Sequence, residues 1–121
     1  MREIESNAIV TKSKAFAIRC IRLRQYLCEN KSEYELSKQL LRSGTGIGAN
    51  VKEALRGQTR PDFGTKMNIA LKEASESEYW IELLQETDYL NNEQGESLLE
   101  DCRELIRLLT SIVKSTFNVP A

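Results

Sequence analysis

Apolar residues recur along this chain at the three- and four-residue spacing of an α-helix, and no stretch alternates with the period of two that marks a half-buried strand. The first helical pattern runs from about Asn7 to Glu29. Ile9, Phe16, Cys20, Leu23 and Leu27 form its stripe, with Val10, Ala17, Ile21 and Cys28 as a second stripe beside it. Asn30 and Lys31 break the pattern. Ser32 and Glu35 then read as an S-x-x-E capping box opening a second helix, which continues through Leu36, Leu40, Ile47, Val51 and Leu55 and stops near Gly57. A third starts around Thr59 to Pro61, since proline is tolerated in a first turn and Asp62 suits the positive end of the helix dipole. Its stripe is Phe63, Met67, Ala70, Ala74, Ser77, Ile81 and Leu84. The fourth opens at Asn91 or Asn92, presents Leu98, Cys102, Leu105, Leu109 and Ile112 with Leu99, Ile106 and Val113 alongside, and frays before Pro120.

Connections this short force neighbouring helices to run antiparallel. The pattern therefore predicts an all-α protein: one domain over residues 1–121, folded as an up-down-up-down four-helix bundle. Gly44, Gly46 and Gly48 fall inside the second helix. They lack the G-K-[ST] ending and preceding strand of a phosphate loop, so close helix–helix approach is the expected reason for them.

Composition narrows the chemistry. The 121 residues are 40% hydrophobic and 29% charged, too apolar for disorder, and include no histidine. That removes the commonest general base, the commonest metal ligand and every His-dependent triad. Nothing marks a nucleophile or an oxyanion hole, so no catalytic residue, cofactor or metal ligand is expected. Cys20, Cys28 and Cys102 sit at apolar-phase positions. Cys20 and Cys28 are too far apart on one helix for a disulfide, and buried thiols in a reducing cytoplasm are expected. The N-terminal residues carry no apolar leader, and no apolar run approaches the roughly 20 residues of a membrane span.

The net charge of −1 hides a split. Residues 1–60 hold 12 Lys and Arg against 6 Asp and Glu, whereas residues 61–121 hold 5 against 12. On the second helix Lys38, Arg42, Lys52 and Arg56 share one face opposite the apolar stripe; on the first, Lys12, Arg19 and Arg22 share a flank. Such cations are a solvated face, a partner for an acidic neighbouring subunit, or a phosphate-binding stripe for RNA.

Other polar residues fall out of phase. Gln39, Ser43, Gly46, Asn50 and Glu53 are spaced four, three, four and three, and so line one flank of the second helix. The third helix has a second side, Ile69, Glu73, Glu76, Trp80 and Leu83. An exposed tryptophan flanked by Ile and Leu points to an oligomer interface through Ile69, Trp80 and Leu83. Arg24 lies in the apolar arc of the first helix and needs a carboxylate, with Glu53, Glu73 and Glu76 as candidates. A polar network of Arg24, Gln39, Arg42, Ser43, Asn50, Glu53, Glu73 and Glu76, fixing helix register or a subunit contact, is the expected role of these groups.

Three stretches make the sequence more than generic: Leu36 to Ala54, Asp62-Phe63, and Ala70 to Trp80. Together they resemble the four-helix-bundle proteins called 23S ribosomal RNA intervening-sequence proteins, over about residues 10 to 115. The most specific part is Gln39 to Glu53, where the family pattern reads Gln-x-x-Arg-Ser-x-x-Ser-Ile-x-x-Asn-x-x-Glu. Gln39, Arg42, Ser43, Ile47, Asn50 and Glu53 match it, while Gly46 stands where the family usually has serine. The resemblance implies ring-shaped homo-oligomers, typically pentamers, and supplies no catalytic residue. A more distant resemblance, to the accessory protein of diversity-generating retroelements, implies a basic barrel that binds nucleic acid; this chain lacks that overall basicity. The expectation is thus a non-enzymatic, cytoplasmic homo-oligomer, with RNA or an RNA-processing protein as the alternative partner and no membrane.

Overall fold

The computed structural model describes residues 2–117, with side chains from residue 7 onward. Four α-helices follow one another: α1 (Arg2–Lys31), α2 (Glu35–Leu55), α3 (Arg60–Glu86) and α4 (Asn92–Thr116). The fraying expected before Pro120 lies outside the described residues. Each helix touches its two neighbours around a square, and the diagonal pairs α1/α3 and α2/α4 do not meet.

Side-chain register fixes the directions. Gly44 lies against Cys20 and Gly48 against Ser13. Ser43 meets Ser77, and Glu53 meets Lys66. The Cys102 thiol donates to the Ala74 carbonyl at 3.2 Å, and Gly64 lies against Thr116. Lys12 pairs with Glu104, and Arg19 with Asp101. In every pair one number rises as the other falls, so all four seams are antiparallel and the bundle runs up-down-up-down.

One buried apolar cluster draws on all four helices. Ile9, Phe16, Leu27, Leu40, Ile47, Met67, Ile81, Leu84, Leu105 and Leu109 are among its fully buried members. Of the expected main-stripe positions, Leu23, Leu36 and Phe63 are only partly buried against it and Leu55 lies outside it. Leu55 is 47% exposed and Ala54 takes its place, because the last turn of α2 presents the smaller residue inward. Phe63 is half-buried at the start of α3. The second stripe of α1 is not core either, since Val10 and Ile21 are exposed.

The helix starts follow local chemistry, with one correction. Thr59 caps α3 by accepting from the Asp62 amide at 3.1 Å, and Asn91 and Gln94 form a reciprocal capping box on α4. At α2 the expected Ser32–Glu35 box does not form. Ser32 takes a left-handed φ of 51° to turn the chain after α1, which removes it from the capping position. The Glu33 carboxylate does the work instead. It accepts from the amides of Glu35, Leu36 and Ser37 at 3.1, 2.8 and 2.8 Å, and Glu33 is only 6% exposed. A carboxylate at the positive end of a helix dipole is the strong form of this bond.

Candidate functional site

The flank of α2 that carries Gln39, Arg42, Ser43, Gly46, Asn50 and Glu53 faces α3. The glycines leave α2 helical throughout. Arg42 reaches the Glu73 carboxylate at 3.7 Å and forms a closer pair with Glu76. Glu76 also accepts from the Trp80 indole nitrogen at 3.0 Å. Beneath these charges the Ser43 and Ser77 hydroxyls, both fully buried, lie 2.8 Å apart, and Ser77 donates onward to the Glu73 carbonyl. Asn50 donates to the Gly46 carbonyl at 2.8 Å, within its own helix. Glu53 pairs with Lys66 at 3.0 Å. Gln39 is half-buried on the same flank.

Gly46 has a local explanation. A Cβ there would run into the Glu73 carboxylate, so the acid occupies the space a serine side chain would take. Burial raises the Glu73 pKa above the ordinary carboxylate value; Arg42 opposes the shift and Glu76 adds to it.

Arg24 stands apart from this network. The glutamates expected to serve it are held by Arg42 and Lys66 on the other side of α2. The Arg24 Nε is buried and has no hydrogen-bond partner among the described residues.

The cations expected to touch RNA divide into two groups. Lys12 and Arg19 are held by α4: Lys12 by Glu104 at 2.8 Å, Arg19 by Asp101 at 2.7 Å and by Ser97. Arg22, Lys38, Lys52 and Arg56 are exposed. Three cations of the basic half, Lys12, Arg19 and Arg42, thus pair with acids of α4 and α3 within the chain, which uses part of the charge split between its halves. Arg103 adds a pair to Glu78 at 2.8 Å within the acidic half.

On α3, Trp80 is half-buried against the core and its ring lies 5.2 Å from that of Tyr79. The exposed aromatic on that helix is Tyr79, at 54%, whereas Ile69 and Leu83 are half-buried. This corrects the expectation of an exposed tryptophan: its indole covers the α2/α3 seam and donates to Glu76. The outward phase of Tyr79 was readable from its helical position.

Little here is chemically poised. Burial pushes the Cys20 and Cys102 thiols up to about 12, which leaves them protonated at neutral pH and poor nucleophiles. Cys28 is half-buried, and all three cysteines are free. No group of three or more His, Cys, Asp or Glu among the described residues can hold a metal ion. An open groove of about 640 Å³ between α1 and α4 is lined by Arg19, Arg22, Tyr26 and Asn91, among others, but Arg19 is committed to Asp101. A second groove, of about 430 Å³, lies between α1 and α2 over Val10, Ala17, Gly48 and Leu55, with Lys14 and Lys52 at its edges. Among the described residues no helix is long and apolar enough to cross a membrane.

Comparison with known proteins places this geometry. No curated protein matches the chain. A crystal structure from Bacteroides thetaiotaomicron, described as a protein of unknown function from the S23 ribosomal protein family, is 50% identical. The match covers 91% of this chain and 98% of that one, with a TM-score of 0.89. Neither that description nor the family's names an enzyme. The family model for the 23S rRNA-intervening sequence protein matches residues 5–111, and the chain belongs to that family.

Proposed function

We propose that this protein is a non-enzymatic scaffold that assembles with copies of itself into a ring, of five by family resemblance, in the cytoplasm. The observation that carries the reading is apolar surface the core does not use. Val10, Ile18 and Ile21 on α1 and Tyr79 on α3 are 39%, 43%, 42% and 54% exposed. They sit on two different sides of the bundle, as a heterologous contact that closes into a ring requires. On α3 the contact runs through the side that carries Ile69, Trp80 and Leu83. Light scattering at micromolar concentration tests it: a mass several times 13.8 kDa is expected, and a monomer refutes it. Leu83→Lys is expected to lower that mass without loss of helicity.

The second reading is RNA binding, by the protein itself or beside an RNA-processing protein. It is favoured by Lys38, Lys52 and Arg56, which are exposed along the outer face of α2 and make no ion pair among the described residues. Contacts to phosphates would be sequence-tolerant and salt-dependent. Charge reversal at these three positions is expected to abolish binding to a ribosomal RNA fragment, and binding that survives molar salt would refute this surface.

A further inference from the structure

Among the described residues, Arg24 is the one cation with a buried side-chain nitrogen that has no hydrogen-bond partner. It belongs to the second stripe of α1, in which Val10, Ala17, Ile21, Arg24 and Cys28 are spaced seven, four, three and four and so share one side. Ile21, its neighbour in that stripe, is 42% exposed. Arg24 is half-buried among these residues and its Nε is buried and unbonded, so a carboxylate brought to this side would satisfy that donor. None of the described residues of its own chain does so.

A matching surface exists on α3. Ile69, Lys72, Glu76, Tyr79, Leu83 and Glu86 are spaced three, four, three, four and three along its outermost side. Tyr79 and Glu86 are exposed, and Ile69 and Leu83 half-exposed. Glu76 is occupied by Arg42 and Trp80, which leaves Glu86 as the acid on that side with no ion pair among the described residues.

Register brings the two together. Through α2, Cys20 lies level with Gly44 and hence, by way of Ser43 and Ser77, with about residue 76 of α3. Through Gly48 and Gly46, Ser13 lies level with about residue 71. Arg24 is therefore level with residues 80 to 82 of α3. In a ring whose axis runs along the bundle, α1 of one copy and α3 of the next point the same way and sit at the same height. Arg24 then faces the turn between Tyr79 and Leu83, with Glu86 roughly 6–9 Å further along at 1.5 Å per residue, within the joint span of an Arg and a Glu side chain. The apolar residues on either side, Ile21 here and Leu83 there, shield the pair from water.

We propose that the α1 stripe of one copy docks on the outer side of α3 of the next, with Arg24 paired to Glu86 across the contact. The occupant is a second copy of this chain, so the inference rests on the assembly proposed above and names its two faces and the charge pair that sets them in register.

The test is a charge swap, read as mass in solution with helicity by circular dichroism as the folding control. Arg24→Glu and Glu86→Arg are each expected to reduce the assembly to 13.8 kDa chains, and the double swap to restore it. If the wild-type protein is itself monomeric, the assembly reading fails and this one with it. If the wild type assembles and either folded single variant keeps its mass, the assembly stands and this interface is wrong. Singles that dissociate while the double swap stays dissociated overturn the pairing. Should Arg24→Glu lose its helicity, Glu86→Arg, on an exposed position, decides the matter by its own mass.

Discussion

The two flanks of α2 pack by different physics. Toward α1 the seam is made of small residues: Gly44 lies against Cys20 and Phe16, Gly48 against Ser13, and no side-chain hydrogen bond or ion pair joins α1 to α2 among the described residues. Toward α3 the seam is polar, with Ser43 on Ser77, Arg42 on Glu73 and Glu76, and Glu53 on Lys66. Close approach at a glycine notch sets a distance, and it also resists sliding, since a Cβ in place of the Gly44 hydrogen would collide with Cys20. Matched polar pairs tolerate small changes of distance but not sliding, since a shift by one turn separates every partner and strands the buried ones. One helix is thus held by shape on one side and by matched polar groups on the other.

The largest effect is expected on the close-packed side. A Cβ at Gly44 collides with the buried Cys20 sulfur, so Gly44→Val is expected to destabilise the bundle by about 2–3 kcal/mol, as overpacking of a core does. Urea unfolding measures it. Gly48→Ala is the control: its Cβ meets Ser13 Oγ at an ordinary 3.4 Å, and the variant is expected to gain about 0.5–1 kcal/mol from reduced chain entropy. Equal losses at both positions would mean that the seam is not set by close approach. On the polar side, Ser77→Ala removes the buried hydroxyl pair and is expected to cost about 1 kcal/mol, measured the same way.

This asymmetry was half legible in the sequence. Helical periodicity gave the four helices and most of the core, because burial at period 3.6 leaves a direct trace in residue type. The polar flank was legible as a spacing, which put Arg42, Glu73 and Glu76 into one expected network without saying which acid each cation meets. The candidate glutamates for Arg24 stand across another seam, since angular position on α1 does not say which neighbour lies beside it until the handedness of the bundle is known. The Glu33 cap was hidden for another reason: the Ser32–Glu35 spacing fits the capping-box pattern, and only the left-handed turn at Ser32 takes it out of the capping position and leaves Glu33 to bond the first amides. Trp80 carried its apolar label openly but not its orientation, which depends on the bond to Glu76.

The polar side is also where pH should act. Glu73 has a raised folded pKa, so its contribution to stability is fully present below the unfolded carboxylate value and is lost as pH rises through the folded one. Glu73→Gln removes that loss and leaves Arg42 to Glu76. Relative to wild type, the variant is expected to gain stability between pH 4.5 and pH 7.5, read from thermal melts at both. A difference that moves the other way would show that the Arg42 pair outweighs the burial of Glu73.

The smallest effect is expected at Glu53, although the family pattern singles it out. Its side chain is 59% exposed and its partner Lys66 is 40% exposed, at 3.0 Å. Exposed pairs of this kind contribute about 0–1 kcal/mol, because water screens the attraction and two long side chains lose freedom to hold it. Glu53→Gln keeps the shape and can still accept a hydrogen bond from Lys66. The expected cost is therefore below about 0.5 kcal/mol at low salt and smaller still in half-molar sodium chloride, because salt weakens exposed ion pairs. Urea unfolding at the two salt concentrations reads it. A salt-independent cost as large as that of Ser77→Ala would mean Glu53 is buried by something other than this chain. Its recurrence in the family pattern would then belong to a contact between copies and not to the register of α2 on α3.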